Sequence, residues 1–335
     1  MKSYQIIVCF LCVFGSITLA PGQTTNRFGD PQLILEANAG DQDGEFGIIT
    51  GADISWPNDF VVDPNGAIWI MDIMNRRVQK FTRDGKFLLT FPNKNHRSPI
   101  ELACLYIECA PDGKIFIGPR RGSIIVLNNE GQFLRKIELP GGKNYGDFNF
   151  SINKRGELLY KIKKDILAIG DTGEILYAIP TDASVSGAHS SPYSKYHVSY
   201  NRKRAHYAIV NSEMRTVRDD AINKDASGFE SVFSSDKYSH IFLVDNAGNL
   251  FVKSRLKSGP KRASISYHSP EGRLIQTLKM PPFDSEDRLS TIYTIDKHGN
   301  LYVMDVTEPQ NAIIKPRTLI KDSTPCVRIW RWKKK

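Results

Sequence analysis

The chain has 335 residues, 41% of them hydrophobic and 24% charged, with a formal charge of +9. That composition belongs to a folded globular protein and excludes a disordered or collagen-like chain. The length allows two average domains or one large all-β domain. The positive charge favours anionic partners but bears on neither the fold nor the choice among acidic glycan, phosphate-bearing lipid and nucleic acid.

In chain order, residues 1–22 read as a secretory signal. Lys2 supplies the positive start, residues 6–14 are apolar, and Thr18-Leu19-Ala20 is a small-residue cleavage motif. Pro21 obstructs cutting after Ala20, so cleavage after Gly22 is an alternative. The mature chain is then expected to be secreted or periplasmic. The apolar run is short for a stable membrane span; a retained anchor is the competing reading. Cys9 and Cys12 leave with the signal. Cys104, Cys109 and Cys326 remain, an odd number. Cys104 and Cys109 fall five apart in a predicted strand and so face opposite sides. All three are expected as buried small apolar residues.

A lone strand follows at 32–37, then Gly40-Asp41-Gln42-Asp43-Gly44-Glu45-Phe46-Gly47. The alternating acids suggest a calcium loop, but an EF-hand needs an acidic residue at its twelfth position, so a polar connection is the preferred reading. Next comes the unit on which the chain is built. Residues 57–92 hold four short apolar runs separated by Asp63-Pro64-Asn65-Gly66, a polar break and Arg83-Asp84-Gly85. Period-two runs between such turns read as one four-stranded antiparallel sheet.

The unit recurs around turn glycines Gly66, Gly113, Gly156, Gly248 and Gly299, with gaps of 47, 43, 92 and 51 residues read from the sequence. The 92 is two periods, so a degenerate copy is expected near residue 202. Six copies follow, approximately 57–92, 101–140, 144–180, 195–235, 238–281 and 288–332. Four-stranded sheets at this period indicate a β-propeller. The expected fold is therefore all-β, a single six-bladed propeller over residues 23–335. The last copy is short of a strand, and the lone strand 32–37 is expected to pair into it and remove the open edge.

Asn65-Gly66-Ala67-Ile68-Trp69-Ile70-Met71-Asp72 with Asn75-Arg76-Arg77-Val78-Gln79-Lys80-Phe81 resembles an NHL repeat. Gly44-Glu45-Phe46 with Pro57 is similar to the linker that leads into such repeats. The likeness is strong over 40–91, moderate in copies two, three, five and six, and poor in copy four. It implies a propeller that serves as a binding scaffold. It also leaves open a propeller enzyme, because a few relatives, the amidating lyase and gluconolactonase-like enzymes among them, carry a metal in the central channel.

Two candidate sites follow. Second-to-third turns share one face of a propeller, and there the sequence places Arg76-Arg77, Arg120-Arg121 and Lys163-Lys164. Such a face would bind an anionic glycan or a protein; alternatively, Arg77 pairs with Asp72 inside its blade. The channel offers Asn58, His189 and His240 as ligands for a divalent metal in a lyase or hydrolase, although polar strand ends explain them equally. Trp330 and Trp332 share a strand face and are expected to pack on a neighbouring blade, with the final lysines solvated. Nucleic acid is the disfavoured partner. A monomer is expected.

Overall fold

The structure is a computed structural model. It describes residues 28–50, 57–92, 100, 104–119, 122–140, 150–162, 165–180, 196–201, 206–211, 216–221, 237–256, 263–270, 272–281, 292–306, 318–319 and 322–335.

Antiparallel hairpins dominate because the glycine turns permit them. All five turn glycines singled out in the sequence adopt positive φ, between 78° and 89°, a region that side-chain-bearing residues avoid. Three of the turns are further fixed by an acid three residues before the glycine. Asp63 Oδ1 accepts from the amides of Asn65 and Ala67, Asp245 Oδ1 from Ala247 and Asn249, and Asp296 Oδ1 from His298 and Asn300. Side-chain acceptors of this kind replace the backbone partners a tight turn lacks.

The described residues form a β-propeller with five four-stranded blades, not six. Blade 1 is Asp59–Val62, Ile68–Asp72, Arg77–Phe81 and Phe87–Phe91. Blade 2 is Cys104–Cys109, Ile115–Pro119, Ser123–Leu127 and Phe133–Glu138. Blade 3 is Ser151–Ile152, Leu158–Ile162, Asp165–Ile169 and Ile175–Pro180. Blade 4 is Lys237–Val244, Leu250–Leu256, Ala263–His268 and Leu274–Thr277.

Between blades 3 and 4, where the degenerate copy was expected, Tyr196–Asn201, His206–Asn211 and Thr216–Ala221 make a three-stranded sheet. This corrects the count of six full blades. Neither turn of that sheet contains a glycine, and the run after Ala221 lies outside the described residues.

Blade 5 is Ile292–Ile295, Leu301–Val306 and Asp322–Trp332, completed by the N-terminal strand Gln32–Ala39. The expected latch therefore exists, with Gln32 opposite Arg331 and Ala37 opposite Val327. A two-residue ribbon, Ile49–Thr50 with Thr318–Leu319, lies outside the blades.

The core lies between blades. Val61, Trp69, Met71 and Val78 of blade 1 pack with Ile107, Ile115, Ile117 and Ile125 of blade 2. Phe60, Val62 and Ile68 pack the other way, with Tyr302, Met304 and Ile329 of blade 5. Each sheet thus buries both faces only because a neighbour stands on each side.

Candidate functional site

Sites on a propeller arise on its two faces, along its channel and between its blades. On the face made by second-to-third turns, Arg76 and Arg77 diverge. Arg77 is buried: its Nε donates to Asp72 Oδ2 (2.9 Å) and its other nitrogens to the carbonyls of Asp41, Gln42 and Glu45. Asn75 donates to Asp72 Oδ2 and the Gly40 carbonyl, Gln79 donates to the Glu45 carbonyl, and the amides of Gly47 and Gly44 donate to Asp72 and Gln79. The loop suspected of binding calcium is thus clasped to blade 1 by the Asp-Asn-Arg-Gln set of the NHL-like motif. Burial raises the Asp72 carboxyl above the usual carboxylate range, against the pull of Arg77.

Arg76 is exposed, with left-handed backbone (φ 54°), its amide bonded to the Ile73 carbonyl and its Nε to Ile100 O. Arg120, Arg121, Lys163 and Lys164 lie outside the described residues.

Along the channel, Asn58 is half-buried beside the innermost strand of blade 1. The backbone of His240 lies in the innermost strand of blade 4, its side chain is not described, and His189 is outside the described residues. Of the three expected metal ligands, only Asn58 thus has its side chain among the described residues. Among the described residues no group of three or more His, Cys, Asp or Glu side chains could hold a metal ion.

The channel strands carry a feature the sequence reading missed. Asp59 accepts from the Ile107 amide of blade 2 (2.9 Å) and from its own neighbour Phe60, yet burial pushes its pKa up to about 7. Glu108 lies one residue beyond Ile107, and burial, with the nearby Asp59 charge, raises it well above the carboxylate range.

Between blades, the face of first-to-second turns carries a repeated cross-strand row. In blade 1 it is Trp69–Lys80–Leu89. The equivalents are Phe116–Val126–Arg135 in blade 2, Phe251–Tyr267–Gln276 in blade 4 and Tyr302–Arg331–Gln32 in blade 5. The rows of blades 1, 2 and 5 meet the turn of the next blade and that of blade 4 meets the C-terminal segment; at three of these junctions a largely buried cation pins the contact.

At the junction of blades 1 and 2, Lys80 Nζ donates to the Asn129 carbonyl (2.6 Å), lies 3.6 Å from Asp63 Oδ2 and sits over the Trp69 ring. Where blade 5 meets blade 1, Arg331 donates to the Arg83 carbonyl (3.3 Å). Asn129 and Arg83 hold the same place, two residues before the turn glycines Gly131 and Gly85. At the junction of blades 4 and 5 the cation comes from the C-terminus: Lys334 Nζ bonds Asp245 Oδ2 at 3.0 Å and lies over Tyr267. Tyr267 OH also donates to Asp245 (2.5 Å). The final lysines are thus not all solvated. Trp332 is buried, as expected for packing on the neighbouring blade, with Nε1 donating to the Lys279 carbonyl.

The junction of blades 2 and 3 differs at each equivalent position. Phe116 replaces Trp69, Val126 replaces Lys80, and Ala110 replaces the acid Asp63. A cavity of about 220 Å³ opens there over Phe116, Ile137 and Leu158. Asp112, Glu157, Asp171 and Glu174 surround it, with Lys114 and Arg155 as its cations. Asp171 occupies the place of Asn129 and takes Arg135 from blade 2, with Lys114 3.7 Å away. Thr172 holds the Glu174 carboxylate through its hydroxyl and amide, keeping it below the usual carboxylate range.

Comparison with known proteins adds little beyond the architecture. No family model matches the chain, and no curated protein matches it. Among solved structures, the chain is similar to a streptogramin B lyase (14% identity, 91% of this chain and 98% of that one, TM-score 0.44). It is also similar to the virginiamycin B lyase of Staphylococcus aureus (13%, 91% and 99%, TM-score 0.48). A protein of unknown function from Bacteroides caccae matches at 16% identity over 74% of this chain and 94% of that one, with a TM-score of 0.45. Likeness this distant carries no activity to this chain.

Proposed function

We propose that this chain is an exported, NHL-like propeller acting as a non-catalytic binding scaffold, whose Arg76-bearing face takes an anionic partner of the acidic-glycan class. The observation carrying the reading is Arg76 itself. It is an exposed arginine in left-handed backbone at the tip of a turn whose flanks, Asp72, Asn75 and Arg77, are bonded to the 40–47 loop. A β-carbon-bearing residue is held in that region only when its surroundings over-determine it, and such places concentrate at ligand-contacting surfaces. The sequence adds Arg120, Arg121, Lys163 and Lys164 at corresponding turns, and the chain is +9 overall. The leader at 1–22 and the NHL-like motif support export and the scaffold class. Many buried polar groups are meanwhile occupied in building the fold: Asp63, Asp245 and Asp296 hold turns, and His268 bonds the Gly272 carbonyl and Ser266.

The test is retention on an immobilised sulfated polysaccharide against rising salt. Arg76→Glu/Arg120→Glu/Arg121→Glu should elute at markedly lower salt than the parent, because exposed charge contacts are screened over ~10 Å at 0.1 M. Equal elution would remove the reading. Arg77 is left intact because reversing it would break the clasp. Metal analysis of the same preparation separates the competing enzyme reading: stoichiometric metal, lost on Asn58→Ala, would favour a channel site.

A further inference from the structure

Three junctions between blades are closed by a largely buried cation, whereas between blades 2 and 3 the bridging cations, Arg135 and Lys114, pair with Asp171 at the more exposed rim. We infer that the cavity between blades 2 and 3 is a binding site for an organic ammonium, a protonated amine carried on an apolar stem. The site lies on the face opposite Arg76 and has the opposite charge preference, so it does not depend on the scaffold reading above.

The argument begins with what the protein inserts elsewhere. At the blade 1 and 2 junction an ammonium, Lys80, lies against an aromatic ring and between Asp63 and the next blade's turn. At the blade 4 and 5 junction another ammonium, Lys334, lies against Tyr267 and bonds Asp245. The recurring filler is therefore a cation on an apolar stem, with a carboxylate at its head.

At the blade 2 and 3 junction the next blade's turn is retained, with the acid Asp171 in the place of Asn129, while the filler is absent and Ala110 stands where Asp63 does. Val126 stands where Lys80 does and brings no charge. Phe116 presents a smaller ring than Trp69. The turn glycines at the two junctions are crowded to different degrees. A β-carbon on Gly131 would meet Leu89 at 2.8 Å, whereas one on Gly173, the equivalent turn of blade 3, would come no nearer than 3.6 Å to Ile137. A β-carbon on Gly156 would have nothing within 4 Å.

The chemistry of the lining selects the ligand. The floor is apolar: Phe116, Ile137 and Leu158 are each 1% exposed. Four carboxylates and two cations line the walls, and with Arg135 bonded to Asp171 acids still outnumber bases. The side chains of Asp112 and Asp171 are 52% and 61% exposed, so the acidic rim is reachable from solvent. The cavity volume of about 220 Å³ corresponds to roughly seven waters at ~30 Å³ each, room for a small amine. An acidic rim over an apolar floor disfavours a carboxylate, and it gives a neutral hydroxyl a hydrogen bond but not the charge-assisted pair an ammonium gains.

Calorimetric titration of the purified full chain with phenethylamine tests the inference. Phenethyl alcohol is the neutral control and phenylacetate the anionic one. The amine should bind with a dissociation constant below ~1 mM, at least ~10-fold tighter than the alcohol, with phenylacetate not detected; this gap is about 1.4 kcal/mol. Phe116→Trp/Val126→Lys, which copies the blade 1 filler into blade 2, should abolish binding. Asp171→Asn/Glu174→Gln, changes at the exposed rim, should weaken it at least ~10-fold without altering the far-ultraviolet circular dichroism. Should the filler variant misfold, the rim variant still decides. An acetylated and amidated Phe-Lys dipeptide distinguishes the source of the amine: tighter binding than phenethylamine assigns the site to a lysine of a partner chain, and weaker binding to a free amine. Equal affinity for amine and alcohol, or amine binding unchanged in a folded filler or rim variant, would overturn the inference.

Discussion

Blades 1 and 2 share one backbone plan and close against their neighbours in different ways. Blade 1 presents Trp69, Lys80 and Asp63 to the turn of blade 2, and its outer end is clasped through Asp72 and Arg77 to the loop after the N-terminal strand. Blade 2 carries Phe116, Val126 and Ala110 in the first three positions and Pro119 and Ser123 in the last two. The same sheet can therefore be pinned by buried polar groups or left with a cavity. The choice lies in a few cross-strand positions that the apolar alternation does not distinguish.

The largest effect that sharpens this contrast is at the clasp. Arg77→Ala should cost about 3–5 kcal/mol in denaturant unfolding, because Asp72 and three carbonyls lose a buried donor together. Ser123→Ala, the equivalent change in blade 2, should stay within ~0.5 kcal/mol. Next is the filler: Lys80→Met keeps the stem but strips the charge from a fully buried Asp63, and should cost about 2–3 kcal/mol. Comparable losses at Ser123 would mean that blade 2 is pinned in some way not described above.

The channel gives a smaller, pH-dependent contrast, because Asp59 of blade 1 is matched by Tyr106 in blade 2. Asp59 is half-buried, and burial lifts its folded pKa from 3.8 to about 7. A carboxyl raised on folding contributes its full stabilisation below the unfolded value and loses it as pH climbs through the folded one. The parent should therefore lose stability relative to Asp59→Asn between about pH 4 and 7. The difference should reach about 1–2 kcal/mol, below the ~4 kcal/mol of an undiscounted shift because the group keeps some solvent. A pH-independent gap between the two would contradict the assignment. Smallest of all, Asp171→Asn should move the stability of the free protein by under ~1 kcal/mol, since its ion pairs are exposed.

Much of the architecture was legible because it is written in local chemistry. Gly66, Gly113, Gly156, Gly248 and Gly299 mark hairpins that need positive φ, and the unpaired strand at 32–37 announced its partner at 327–332. The blade count departs from six where that chemistry stops: the copy near residue 202 has polar linkers without glycine, and the run after its third strand lies outside the described residues. The functional features were harder to read. Lys80 and Arg331 look like solvated strand residues until the next blade's turn is set against them, and that juxtaposition exists only in three dimensions. Arg77, which the sequence offers both as a face cation and as a partner of Asp72, takes the second role, and the loop carbonyls it also holds precede it by more than thirty residues. The cavity left the least trace of all, since it arises from what Phe116, Val126 and Ala110 do not fill.

A reciprocal exchange of fillers, followed by thermal unfolding, tests the central claim most directly. Trp69→Phe/Lys80→Val gives blade 1 the row of blade 2, and Phe116→Trp/Val126→Lys does the reverse. The first should lower the melting temperature by several degrees, at ~2 °C per kcal/mol for a chain of this size, and the second should leave it unchanged or raise it. Equal losses in both directions would show that the blade 2 and 3 junction is already as well filled as its neighbour, and that no open slot exists there.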